Sequence, residues 1–166
     1  GVDVKRMDVL DESTLPSALE GVDTAYYLVH SLKQKSHEFA RLDRLAAQNF
    51  LRAAEASKVR RIVYLGGLGE LGPNLSEHLR SRAEVGEILQ SGATATTVLR
   101  AGIILGPESA SWQMLRQLVE RLPIMTTPRW VETRSQPIAL RDVLGYLVGC
   151  IEVEETAGGR FDIGEH

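Results

Sequence analysis

The chain has 166 residues, 43% of them hydrophobic, 25% charged and 5% aromatic, a balance that excludes a disordered or low-complexity segment. Nineteen Lys and Arg stand against 22 Asp and Glu, a net charge of −3, so a general nucleic-acid binder is not expected. No apolar run approaches the roughly 20 residues of a membrane helix, and the single cysteine, Cys150, allows neither an internal disulfide nor a Cys-based metal cluster. The first six residues lack the apolar run of a secretory signal, so a cytoplasmic location is the expectation.

Short apolar runs alternate with longer helical periods, the pattern of an open parallel α/β sheet. Residues 2–9 read as a short extended run ending in acid, and 11–19 as a weak helix stopped by Gly21. Residues 24–29 show no polar alternation, which predicts a strand covered on both faces. Ser36 is a candidate N-cap for a long helix with Glu38 in its first turn. Phe39, Leu42, Ala46, Phe50 and Ala53 form the apolar stripe of that helix. A strand at 61–65 closes on Gly66 and Gly67. Ser76 caps a helix carrying Leu79, Ala83, Gly86 and Leu89 that ends at Gly92, in the position after the C-cap that glycine favours. The β-rich run 96–100 precedes a helix with Trp112, Leu115, Val119 and Leu122 that stops at Pro123. Residues 136–138 are short and extended. Val143, Leu144, Leu147, Val148 and Ile151 make the last helical stripe, and 160–163 a final strand. A single domain without repeats is expected, with strands 24–29, 61–65 and 96–100 in one sheet and the 37–57 and 76–91 helices on its faces.

Gly67, Gly69 and Gly72 match G-x-G-x-x-G after a predicted strand. A dinucleotide fingerprint runs straight into a helix whose N-terminal N–H groups receive the pyrophosphate. Here Pro73 and Asn74 intervene, and the next strand ends in Arg100 rather than an acid. An Arg there suits a 2′-phosphate, so two readings stand: a fingerprint, or a flexible loop over the carboxyl edge of the sheet. The loop is the better supported. No His, Cys, Asp or Glu cluster has metal-ligand spacing.

Read in order, 8–11, 21–30, 61–67, 98–107, 141–143 and 161–164 resemble the later two-thirds of an extended or atypical short-chain dehydrogenase/reductase of the nucleoside-diphosphate-sugar-epimerase-like group. The resemblance implies an N-terminally truncated Rossmann-like sheet with helices on both faces, because the family opens with a strand, a glycine turn, a helix and a second strand that precede the matched segments. It implies NAD or NADP in the intact parent, with weak or absent binding by this chain alone. A small-molecule substrate or dinucleotide is the implied partner, with no nucleic acid and no membrane. An exposed sheet edge offers a route to a homo-oligomer.

The same resemblance marks site residues. Asp8 and Val9 match the adenine contacts, although Asp8 also reads as a solvated loop acid. Leu28, Val29 and His30 match the strand end along the adenine ribose and nicotinamide. Gly66 and Gly67 stand where the family places a serine or threonine, and Ala101, Gly102 and Ile103 match the segment against the nicotinamide. The family's Y-x-x-x-K motif falls on His78 and Arg82. The four-residue spacing that puts both on one helical face survives, while the residue types change. His78 can transfer protons near neutral pH and Arg82 can donate to ribose hydroxyls. Two solvated helix positions are the plainer alternative. Trp112, Arg116, Arg129, Trp130 and Arg134 lie in the region, 108–140, that caps the substrate in the family, where Arg can fork onto an anion. An ordinary surface loop explains them as well. Two functions follow: redox or epimerase chemistry on a small carbonyl, alcohol or sugar, or a non-catalytic dinucleotide sensor or scaffold of the nitrogen-regulator-like type.

Overall fold

The computed structural model describes residues 1–30, 36–69, 76–107, 109–121 and 136–164, without the side chains of residues 36, 37, 110, 111, 115 and 118. Its strands are β1 (Thr24–Tyr27), β2 (Arg61–Gly67), β3 (Ala95–Ala101), β4 (Ile104–Leu105), β5 (Ile138–Ala139) and β6 (Arg160–Ile163). Its helices are α1 (Leu15–Leu19), α2 (Ser36–Ala56), α3 (Glu77–Gln90), α4 (Ala110–Arg121) and α5 (Leu140–Glu152). The main sheet runs β1-β2-β3-β6 with every pair parallel, and β4 and β5 form a second, two-stranded parallel sheet. Register places Thr24 beside Arg61, Gly66 beside Arg100 and Ala101 beside Ile163.

Side chains alternate across the sheet. Ile62 and Tyr64 of β2 face a core shared with Leu15 of α1, Phe50 of α2 and Leu89 of α3. Val63 faces the opposite core with Leu99, Ile163 and the Val143, Leu147 and Cys150 stripe of α5. Helices α2 and α3 therefore share one face and α5 takes the other. Two right-handed crossovers stepping the same way, β1 to β2 to β3, leave α2 and α3 no other side.

Several sequence expectations change. Residues 2–9 form no strand, and Val2 and Val4 are 92% and 88% exposed. A strand needs a neighbour to complete its ladder, and among the described residues none lies beside this segment. Side-chain bonds hold it instead: Lys5 Nζ donates to the Ser17 carbonyl at 3.0 Å, and Asn49 Nδ2 to the Val9 carbonyl at 2.9 Å. β1 is shorter than expected and covered on one face only. Ala25 and Tyr27 are buried, while Tyr26 is 38% exposed and its hydroxyl donates to the Leu147 carbonyl at 2.8 Å. In α5 only Val143 and Leu147 of the expected stripe are buried. Leu144, Val148 and Ile151 line up with Leu140 on an exposed flank, because the apolar arc is wider than the sheet beneath it.

Ser76 Oγ does cap α3, accepting from the Leu79 N–H at 3.3 Å. The Ser36 side chain lies outside the described residues. The stop after α3 differs from the expectation. Ser91 is the C-cap, and Gly92 has no left-handed φ, unlike Gly21 at 71°. Gly92 is closely approached instead: a Cβ there would meet Glu55 Oε1 and, at 2.7 Å, Leu51 Cδ1, so those side-chain ends would have to shift.

The sheet has two different borders. β1 carries Thr, Ala, Tyr and Tyr. β6 carries Arg160 and Asp162, the latter forked by Arg100 of β3 at 2.5 and 2.7 Å.

Candidate functional site at the carboxyl edge of the sheet

The site grows from three strand ends and one helix start. Beyond β1 the chain passes Leu28, 55% exposed, and Val29, packed on the α2 side, to reach His30. β2 ends on Gly66 and Gly67 beside Arg100 and Ala101, and the Leu68 N–H donates to the Ala101 carbonyl at 2.7 Å. Both glycines are close-packed: a Cβ would lie 3.1 Å from Tyr64 Cε1 at Gly66 and 2.7 Å from Leu79 Cδ2 at Gly67. α3 then presents His78 and Arg82 one turn apart.

The rings of His30 and His78 sit 4.8 Å apart, tilted by 58°, and Phe39 of α2 approaches His78 at 6.4 Å. Below them is Asp43, a buried carboxylate on α2. Its Oδ2 accepts from Ser81 Oγ at 3.4 Å and lies 3.6 Å from His30 Nδ1, too far for a hydrogen bond but close enough for a strong electrostatic contact. Neither ring nitrogen of His30 has a hydrogen-bond partner among the described residues. Burial holds the His30 pKa below its usual value, and the charges of Arg82 and His78 add to that effect against the opposing pull of Asp43.

Arg82 turns inward. One nitrogen donates to the Leu65 carbonyl at the end of β2, and the guanidinium lies 5.2 Å over the Tyr64 ring. The Tyr64 hydroxyl donates to the Arg82 carbonyl at 3.0 Å, and burial pushes its phenol up to about 12, so it stays protonated at neutral pH.

No family model matches the sequence, and no curated protein matches it. Solved structures do. A nucleoside-diphosphate-sugar epimerase from Staphylococcus aureus superposes with a TM-score of 0.76 at 17% identity, covering 99% of this chain and 56% of that one. The dTDP-glucose 4,6-dehydratase of Streptomyces venezuelae, solved with NAD bound, gives 0.76 at 17% identity over 95% of this chain and 56% of its own. The UDP-N-acetylglucosamine 4-epimerase of Bacillus cereus gives 0.74 at 16% identity over 96% and 63%. Over its length the chain shares the Rossmann-like fold of these neighbours. This chain spans a little over half the length of these neighbours.

Within this Rossmann-like fold, the structure brings His30, His78, Arg82, Gly66 and Gly67 to one edge. Ala101 is buried beside Gly67, Ile103 is 46% exposed, and Gly102 backs so closely onto the Gln136 carbonyl that a Cβ would overlap it. Asp8 and Val9 sit apart, on the turn before α1. Asp8 Oδ1 accepts from the Leu10 N–H at 2.9 Å, so the carboxylate braces that turn. Trp112 and Arg116 lie on exposed α4, where Arg116 pairs with Glu120 at 2.7 Å. Arg129, Trp130 and Arg134, with residues 108 and 122–135 of the expected 108–140 cap, fall outside the described residues, as do Gly72 of the glycine motif and Pro73 after it. Arg100, considered for a 2′-phosphate, is committed to Asp162. Among the described residues no group of three His, Cys, Asp or Glu could hold a metal, and no helix is long and apolar enough to cross a membrane.

The carboxyl edge is where a dinucleotide would lie in a sheet of this kind. Ile103 is exposed there, while both ring nitrogens of His30 are buried and Gly66 and Gly67 pack against Tyr64 and Leu79 of the chain itself. Among the described residues no glycine turn leads into a helix N-terminus to receive the pyrophosphate.

Sequence reasoning missed Asp43 and Ser81. Asp43 had a legible signal, since it lies four residues from Phe39, three from Ala46 and seven from Phe50, inside the apolar stripe of α2. A lone acid on a buried stripe needs a partner, and here the partner is at the site.

Proposed function

We propose that this chain forms the nicotinamide side of an NAD(P)-dependent protein that carries out redox or epimerase chemistry on a small carbonyl, alcohol or sugar. The observation that carries this reading is the placement of His78 and Arg82, one turn apart, at the carboxyl edge of a parallel sheet beside His30, where open α/β sheets bind their ligands. NAD(P), when bound, supplies or accepts the hydride. The chain's own residues manage the proton and the orientation.

In the reduction direction His78, as imidazolium, gives its proton to the oxygen on which charge develops, and in oxidation the neutral ring takes it back. Histidine spans both forms near neutral pH, which the family's tyrosine does only with help from a lysine. Arg82 spends one donor on Leu65 and keeps others for the ribose hydroxyls. Ala101, Gly102 and Ile103 back the nicotinamide ring, with Leu28, Val29 and His30 along its ribose and Asp8 and Val9 toward the adenine. Trp112, Arg116, Arg129, Trp130 and Arg134 would close over the substrate.

A non-catalytic dinucleotide sensor is favoured by one observation: Gly66 and Gly67 end β2 without a hydroxyl to polarise a carbonyl. One experiment separates the two. The chain is assayed at millimolar NADH or NADPH against small aldehydes and ketones, and against UDP-sugars for epimerisation. Turnover that collapses in His78→Ala supports the enzyme. Dinucleotide binding with no turnover, unchanged in His78→Ala, supports the sensor.

A further inference from the structure

We propose that Asp43 is a positioning residue of this site, acting through His30 to hold the ring on which His78 rests. The inference deepens the reading above and rests on His78 as the proton-transfer group. Three elements meet here: the extension of β1 with His30, the middle of α2 with Asp43, and the first turns of α3 with His78, Ser81 and Arg82.

Asp43 is 4% exposed, on the arc of α2 that also carries the buried Ala46 and Phe50. A carboxylate in such a place is costly unless its charge is balanced and its oxygens are bonded. Ser81, 3% exposed, donates to Oδ2, and the same oxygen faces His30 Nδ1 at 3.6 Å. A carboxylate at that distance favours the tautomer that carries the ring proton on Nδ1. This fixes which edge of His30 turns toward α2, and therefore which face turns toward His78, 4.8 Å away. The charged and titratable groups facing His30 are Asp43 from α2 and His78 and Arg82 from α3. Of these Asp43 alone favours the protonated ring, while burial and the other two oppose it. The 3.6 Å gap is wider than a hydrogen bond by less than an ångström.

The test is an NMR titration of the imidazole signals in the whole chain, which needs neither cofactor nor substrate. Asp43→Asn keeps the volume and an acceptor for Ser81 but removes the charge. The His30 midpoint is expected to fall by about half to one pH unit, and the His78 ring signals to move as the stack loosens. Unchanged His30 and His78 signals in a variant whose amide spectrum still matches the parent overturn the proposal. Should Asp43→Asn fail to fold, His30→Gln reads the second link directly. The His78 ring signals then move toward those of a free histidine, and their constancy overturns the proposal. A shift in these signals without turnover in any assay fails the enzyme reading alone. Turnover without any shift fails the positioning role alone.

Discussion

Arg61 opens β2, yet its side chain is 1% exposed and its guanidinium reaches the end of α5. There it donates to the Cys150 carbonyl, more weakly to those of Val153 and Glu154 at 3.5 and 3.4 Å, and to Glu154 Oε2 at 2.9 Å. The last carbonyls of a helix have no partner inside it and form the negative end of its dipole. Arg61→Met keeps most of the buried stem and deletes the donors and the charge. Hydrogen bonds from a charged group contribute about 1.5–3 kcal/mol, and a cation in a partly buried seat at a helix C-terminus up to ~2 kcal/mol. Two effects reduce the loss. Thr156 Oγ1 still donates to the Cys150 and Val153 carbonyls at 3.1 and 2.7 Å, and the Glu154 side chain, 72% exposed, returns to water without leaving a buried charge. Dehydrating a guanidinium is itself expensive, which offsets part of the remainder. A net destabilisation of about 2 kcal/mol follows, measured as the midpoint shift in urea unfolding followed by circular dichroism. Glu154→Gln, which touches the exposed partner, should cost under about 1 kcal/mol. An Arg61→Met chain as stable as the parent, or more so, would refute the reasoning, because desolvation would then outweigh the capping.

His78→Ala should lower turnover by roughly 100-fold or more with cofactor affinity little changed, a ratio read from steady-state kinetics. Calorimetry with NAD and NADP should give dissociation constants above about 100 μM, since among the described residues no glycine turn leads into a helix N-terminus to bind the pyrophosphate and each 1.4 kcal/mol is tenfold. Low-micromolar binding lost in Gly69→Val would instead assign the pyrophosphate to the glycine loop. Gly102→Ala should destabilise the chain by about 1–3 kcal/mol in the same urea assay, because the added carbon overlaps the Gln136 carbonyl and backbone must move. Burial raises the phenols of Tyr27 and Tyr64, the latter to about 12. Their contribution to stability is therefore complete below the unfolded value near 10 and is lost as pH rises toward about 12. The share of the tyrosinate absorbance due to Tyr27 and Tyr64 should accordingly rise late and together with unfolding, and its loss from an early rise in Tyr27→Phe and Tyr64→Phe variants would contradict it.

The sheet was legible where a segment's pattern and its partners both lie in the chain. β2 and β3 follow from β-rich, largely apolar runs that close on glycines, and the stripe of Ala46, Phe50 and Ala53 buries as its spacing demands. Residues 2–9 show the limit of such patterns, because an extended run becomes a strand only beside another strand. α5 shows a second limit: periodicity counts apolar positions but does not say how wide a surface will meet them. At the site, the spacing of His78 and Arg82 was readable from a single helix. The seat of Asp43 under His30 was not, since it depends on how the end of β1, α2 and α3 converge. The inward turn of Arg82 was equally hidden, because the Leu65 carbonyl and Tyr64 ring that attract it belong to another element.

The two borders of the main sheet differ in what they can accept. A strand approaching β6 meets side chains that keep their water and their ion pairs, with Asp162 already forked by Arg100 and Arg160 bonded to Gln90 at 2.7 Å. A strand approaching β1 meets amide groups flanked by Thr24 and two tyrosines, with no charge to strip of its hydration. Desolvation therefore makes growth of this sheet one-directional. A right-handed unit added beyond β1 steps opposite to α2 and α3, so its helix falls on the other face, where Tyr26 and the outer flank of α5 are bare. In the vocabulary of valence, β1 is the open bond of the main sheet among the described residues, and the handedness of parallel crossovers sets the side on which an added helix would lie.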